Sequence, residues 1–184
     1  SMDLGERDGG LPPDHVVEDR DAILASTESV IARLHDPDWC QVVVAPCSPF
    51  SVTPELMVES ADLARAHGLR LHTHLCETVE ETAYCLEHLG RRPVDLLDEW
   101  GWVGDDVWLA HGIHIPPPEI SRLGAAGTGV AHCPSSNARL AAGLCPVTDL
   151  EAAGCPVGLG VDGVASNEVG GLFAEIRQAI YTAR

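Results

Sequence analysis

The feature that most constrains this chain is a sentence repeated five times: a short apolar stretch, then an amphipathic stretch with helical spacing. QVVVAPC (41–47) is a continuous, β-branched run, as expected of a strand covered on both faces. Ser51-Val52-Thr53-Pro54-Glu55 then reads as a helix start, with Thr53 as N-cap, Pro54 at the first helical position and Glu55 favouring the dipole. That helix should stop near His67-Gly68. LRLHTHL (69–75) leads into ETVEETAYCLEHLG and a second short helix, PVDLLDEWG. DVWLAH (106–111) leads to Pro116–Pro118 and PEISRLGAAG. TGVAHC (128–133) leads to PSSNARL, read as a polar loop, and a helix in PVTDLEAAG. PVGLGVD (156–162) leads to a Gly/Ser/Asn loop and a last helix from about Leu172 to Ala183. Ahead of the first unit, residues 1–14 read as a loop, and Ile23, Leu24, Val30, Ile31 and Leu34 predict a helix over about Val17 to Leu34.

Strict alternation means a parallel sheet with right-handed crossovers. An open doubly wound sheet and part of a (β/α)8 barrel both satisfy it. The chemistry-bearing residues separate them: Cys47, His72 and His74, His111, His132 and Asp162 fall at the carboxyl ends of nearly every strand. In a barrel those ends converge on one mouth; in an open sheet they are strung along an edge, clustering only at the switch point. The even spread favours an α/β fold of the TIM-barrel kind. Five units are too few to close it, so the expectation is a partial barrel.

Charge and cysteine content exclude several partners. Eleven basic residues against 28 acidic ones give a net charge of −17, with no basic stripe to displace counterions from nucleic acid. No apolar run approaches the roughly 20 residues that a membrane span needs, and the opening SMDLGERDGGLPPD has no signal-peptide pattern. Seven cysteines at irregular spacing, without a CxxC pair, read as reduced thiols of a cytoplasmic protein, most of them small buried hydrophobes.

Within His72-Thr73-His74-Leu75-Cys76-Glu77, strand alternation puts both imidazoles on one face. Such a pair suits zinc or iron, although one core-bonded histidine explains it as well. Glu77 lies just past the strand end, within reach of a substrate over the metal. His111 in LAHGIH ends the next strand, where an isolated histidine is more often structural. HCPSSN (132–137) reads as a structural turn rather than a ligand set. Asp162 follows an apolar run, and a lone carboxylate there is costly to bury unless paired or metal-bound.

HTHLCET, LAHGIH, HCPSSN and GVDGVASN, in that order and spacing, resemble the last strands of the amidohydrolase superfamily. The branch they resemble holds the cytosine, guanine, S-adenosylhomocysteine and triazine hydrolases, and the text between the motifs is most similar to the 8-oxoguanine deaminases. Adenosine-type members carry a histidine in a GPHSPY-like turn; here APCSPF puts Cys47 at that position, which counts toward a free base as substrate. The resemblance implies that residues 1–184 are strands about four to eight of one barrel, without the first strands and the β-sandwich. It implies one divalent metal, zinc before iron, with His74 and Asp162 as ligands and His72 in support. Glu77 and His111 would bind substrate, and Glu77, His111 and Asp162 would be catalytic: His111 polarising the attacked centre or orienting the hydroxide, Asp162 taking the proton of the attacking water, Glu77 protonating the ring nitrogen.

The family's other metal ligands, a His-x-His ending the first strand, have no counterpart upstream of residue 72; His15 and His35 are isolated. The expected activity is therefore that of a parent protein, the chain alone being inactive. The expected reaction is deamination of 8-oxoguanine to uric acid and ammonia. Triazine hydrolysis and guanine or cytosine deamination are the alternatives within the family, and a non-catalytic α/β binding module the alternative outside it. The partner is a small heterocycle, with neither nucleic acid nor membrane, and a homo-oligomer is compatible.

Overall fold

The apolar runs pair side by side in the order in which they occur. A computed structural model describes residues 1–183, with strands β1 (Val43–Val44), β2 (Arg70–Leu75), β3 (Val107–His111), β4 (Gly129–His132) and β5 (Val157–Leu159). Every neighbouring pair is parallel and the sheet order is β1-β2-β3-β4-β5. A doubly wound sheet reverses its order at a switch point. None occurs here, and the five strands form an arc of a TIM-type barrel.

Helix α1 (Arg20–Leu34) precedes β1, and α2 (Pro54–Ala66) joins β1 to β2. Helices α3 (Val79–His88) and α4 (Pro93–Glu99) lead to β3, and α5 (Pro117–Ala126) to β4. Helices α6 (Pro134–Arg139) and α7 (Val147–Ala153) lead to β5, and α8 (Leu172–Thr182) follows it. The start of α2 is as the sequence predicts, Thr53 accepting from Leu56 N and Pro54 opening the helix, with His67 at its end; Gly127 and Gly154 close α5 and α7 in the left-handed region. Leu71 and Leu75 of β2 and Leu109 of β3 are fully buried among Leu56, Met57, Leu97, Leu123 and Leu150. Each such side chain contributes roughly 1.5–3 kcal/mol. Trp102 sits in the same core and donates its indole N–H to the Met57 carbonyl at 2.8 Å.

Four boundaries differ from the sequence reading. The run 41–47 is a strand only at Val43–Val44, because Pro46 has no N–H to give a ladder. Its end still touches β2, His74 N donating to the Cys47 carbonyl at 3.0 Å. The run 156–162 is a strand only at Val157–Leu159, paired on one side, to β4. PSSNARL is not a loop: Pro134 starts helix α6, and buried Ser136 and Asn137 turn their polar groups inward. Residues 1–16 contain two 3-10 turns, Glu6–Asp8 and Asp14–Val16, and α1 starts at Arg20 with Asp19 as its cap.

Candidate active site at the carboxyl ends of the strands

Alternation along β2 sends Leu71, Thr73 and Leu75 into the helix layer and leaves His72 and His74 on the other face, half-buried. His72 places Nδ1 3.1 Å from the Trp108 carbonyl and stacks on the Trp108 ring, centroids 5.0 Å apart. His74 places Nδ1 2.7 Å from the Cys47 carbonyl. A carbonyl only accepts, so Nδ1 carries the proton and the Nε2 lone pair is free. Hydrogen bonding with the Cys47 side chain, supported by that carbonyl, lifts the His74 imidazole to about 9 against its burial, so a cation that takes Nε2 displaces a proton there. Burial raises the Cys47 thiol, but His74, Ser51 and Ser48 outweigh it and hold the thiol below its ordinary value.

His111 reaches His74 by a backbone device. Simple alternation would put it with Leu109, toward the helices. Its φ of 70°, followed by Gly112 at 58°, turns the ring so that it stacks on His74, centroids 5.5 Å apart. His111 is 1% exposed. Its Nδ1 lies 2.9 Å from Asn137 Oδ1 on α6, an acceptor, so Nε2 is again the free nitrogen. That nitrogen is 3.6 Å from Glu77 Oε2 and 4.0 Å from Asp162 Oδ2.

Asp162 lies three residues beyond β5, also left-handed, with φ 62°. Its Oδ1 accepts from Gly163 N at 2.7 Å, and Oδ2 accepts from Ser136 Oγ and, at 3.0 Å, from Ser166 Oγ. Burial alone would raise its carboxyl; these three donors and His111 outweigh it and hold the group below the ordinary aspartate value. Cys76, just before Glu77, is left-handed as well, φ 52°. Non-glycine residues in this region cost on the order of 1–3 kcal/mol each and cluster at functional sites.

One donor atom each from His74, His111 and Asp162 lies within 4.8 Å of the others. Two imidazoles and a carboxylate are the donor set of a zinc-type centre with an open position. The sequence reading separated His111, as catalytic, from His74 and Asp162, as ligands; the fold brings all three together, with Glu77 beside them. His132 is not among them. It is buried, its Nδ1 has no partner among the described residues, and it borders a cleft of about 590 Å³ between α7, α8 and β5 that holds none of the four.

The sequence reading missed four supporting residues: Asn137, Ser136, Ser166 and Glu81. The first three stand inside motifs it quoted, HCPSSN and GVDGVASN. Glu81 had its own signal, the capping pattern Thr78-Val79-Glu80-Glu81. Glu81 is buried on α3, and its carboxylate accepts from Cys76 N at 2.8 Å and Glu77 N at 3.0 Å. Burial pushes it up to about 7, with the two amides pulling the other way. Glu175, equally buried on α8, accepts from Ser135 N at 3.1 Å and Asn167 Nδ2 at 2.8 Å, tying the start of α6 to the loop after β5.

A parallel arc with imidazoles and carboxylates gathered at its carboxyl rim is the arrangement in which TIM-type barrels build their sites, and the sequence pattern of the amidohydrolase family matches residues 11–184. The chain belongs to the amidohydrolase family. Among its relatives, the 8-oxoguanine deaminase of Pseudomonas aeruginosa is 57% identical over 187 residues, covering 100% of this chain and 42% of that protein. An isoxanthopterin deaminase from an unknown prokaryotic organism is 45% identical over 165 residues, 86% of this chain and 34% of that protein. The zinc-complexed crystal structure of atrazine chlorohydrolase TrzN from Arthrobacter aurescens TC1 superposes with a TM-score of 0.96 at 33% identity, covering 100% of this chain and 41% of that one. The chain thus spans about two-fifths of the length of these relatives.

Proposed function

We propose that the protein to which this chain belongs hydrolytically deaminates a purine-type base, 8-oxoguanine first, giving uric acid and ammonia. The observation that carries this reading is the meeting of His74, His111, Asp162 and Glu77 at one rim, in a chain 57% identical to an 8-oxoguanine deaminase. His74 and Asp162, with His111 against them, would hold one divalent ion, zinc before iron. Such an ion supplies Lewis acidity, lowering the pKa of a water from 15.7 to about 7.

The remaining work falls to side chains of this chain. Asp162, kept ionised by its donors, takes a proton from the attacking water. Glu77 gives a proton to the ring nitrogen beside the attacked carbon. His111, its Nδ1 proton fixed by Asn137, keeps Nε2 toward both carboxylates and orients the nucleophile. Asp162 passes the proton it took to the amine, which leaves as ammonia; the ring carbon keeps the oxygen of water, whose second proton restores Glu77.

In this reading residues 1–184 form strands about four to eight of the barrel, and the other ligands come from a His-x-His ending an apolar strand elsewhere in the protein. The second reading is triazine hydrolysis, favoured by the superposition on atrazine chlorohydrolase. No helix among the described residues is long and apolar enough to cross a membrane, and all seven cysteines are free, in keeping with a reducing cytoplasm.

The test is ammonia release by the complete, metal-loaded protein from a panel of oxopurines, pterins and triazines. Release from 8-oxoguanine, abolished by Glu77→Ala and by Asp162→Ala, is the expected result. Turnover of another base without release from 8-oxoguanine would overturn the substrate, and full activity of either variant would overturn the catalytic roles.

A further inference from the structure

We infer that Glu81 is a positioning residue for Glu77: its carboxylate clamps the turn that aims Glu77 at the His74–His111–Asp162 cluster. The inference rests on the reading of Glu77 as the proton carrier. Glu81 is 1% exposed, and a carboxylate so placed is costly unless its oxygens are bonded. Its two oxygens meet two consecutive amides, Cys76 N and Glu77 N. Those amides belong to the turn in which Cys76 is left-handed, a conformation that a side-chain-bearing residue leaves unless it is held.

Helix capping alone does not call for this arrangement. In the reciprocal cap the acid three residues on bonds the amide of the cap residue itself. Here Thr78 Oγ1 accepts from Glu81 N, as a cap does, but the Glu81 carboxylate reaches past Thr78 to the two residues before it. The acid is spent on the Glu77 turn rather than on the helix end.

Glutamine keeps the shape of Glu81 and loses one acceptor, because an amide nitrogen has no lone pair to offer. In the complete enzyme Glu81→Gln should lower kcat/KM by about 10–100-fold, the scale on which a displacement near 1 Å acts. Metal content should stay at the wild-type level. The deciding comparison is a double-mutant cycle. In a Glu77→Gln background, Glu81→Gln should change the residual rate by less than about twofold, since there is no longer a carboxylate to aim; a general loss of stability would instead reappear at full size. Glu81→Met, of similar length and without an acceptor, carries the same cycle if Glu81→Gln does not fold. The inference is overturned if Glu81→Gln keeps wild-type kcat/KM, or if its loss is undiminished in the Glu77→Gln background. Wild-type activity of Glu77→Gln alone is a different failure, that of the role given to Glu77.

Discussion

His74 and His111 owe their usefulness to the nitrogens that do not face the site. Each has Nδ1 committed to an oxygen, the Cys47 carbonyl for His74 and Asn137 Oδ1 for His111, and so each keeps Nε2 for the site. For His111 the partner is a side chain and can be removed. Asn137→Ala leaves a buried N–H without an acceptor, costing about 1–3 kcal/mol. It also frees the ring to adopt the other tautomer, and losses of about 10–100-fold in activity or metal affinity follow from removing such a partner. The denaturation midpoint, kcat/KM and metal content of the complete protein measure both effects, and an unchanged kcat/KM would refute the role of Asn137. Much of this site was legible in the sequence. The strand-end positions of His74, His111 and Asp162 follow from alternating apolar runs. The side to which His111 turns did not, because it depends on a positive φ that no periodicity encodes. Asn137 went unread because a Ser-Ser-Asn stretch looks the same whether it faces solvent or a buried imidazole.

Among the elements, strands and helices with strong apolar periodicity were legible, and short ones set by pairing were not. Val43–Val44 is cut short by Pro46 inside its own apolar run, and Val157–Leu159 ends where its pairing with β4 ends, which an apolar run does not record. Helix α6 lacks an apolar stripe because two of its three buried residues, Ser136 and Asn137, are polar and spoken for by Asp162 and His111, the third being Pro134. Gly124 on α5 shows how closely the helices approach one another: a Cβ there would sit 2.1 Å from the Ala153 carbonyl oxygen at the end of α7. Gly124→Ala would gain roughly 1 kcal/mol of helix propensity and lose about 1–3 kcal/mol to overpacking against backbone that has nowhere to go. The loss should win, lowering the urea midpoint; a raised midpoint would show that α5 and α7 part easily.

At the scale of the molecule, the sequential strand order leaves β1 and β5 each paired on one side among the described residues. Two open parallel edges are templates for further strands. The net charge of −17 opposes association by repulsion, but repulsion between exposed charges is screened by salt whereas edge pairing is not. Expressed by itself, this chain should release no ammonia from 8-oxoguanine and should elute in gel filtration ahead of a 19.5 kDa monomer, increasingly so at higher salt. A salt-independent monomer would show that the edges are blunted.

The Cys47 carbonyl takes three bonds from β2: from His74 N at 3.0 Å, from His74 Nδ1 at 2.7 Å and from Thr73 Oγ1 at 3.0 Å. All three end on main-chain oxygen, which every amino acid supplies, so no codon change at position 47 erases them. The thiol beside His74 is a separate matter and can be exchanged. In the proposed reading position 47 is thus a dial mounted on a fixed shaft: a change there would retune what the mouth accepts without loosening the imidazole behind it. Cys47→Ser and Cys47→His should keep the metal stoichiometry of the complete protein while shifting its preference among bases, and loss of metal in both would show that the shaft turns with the dial.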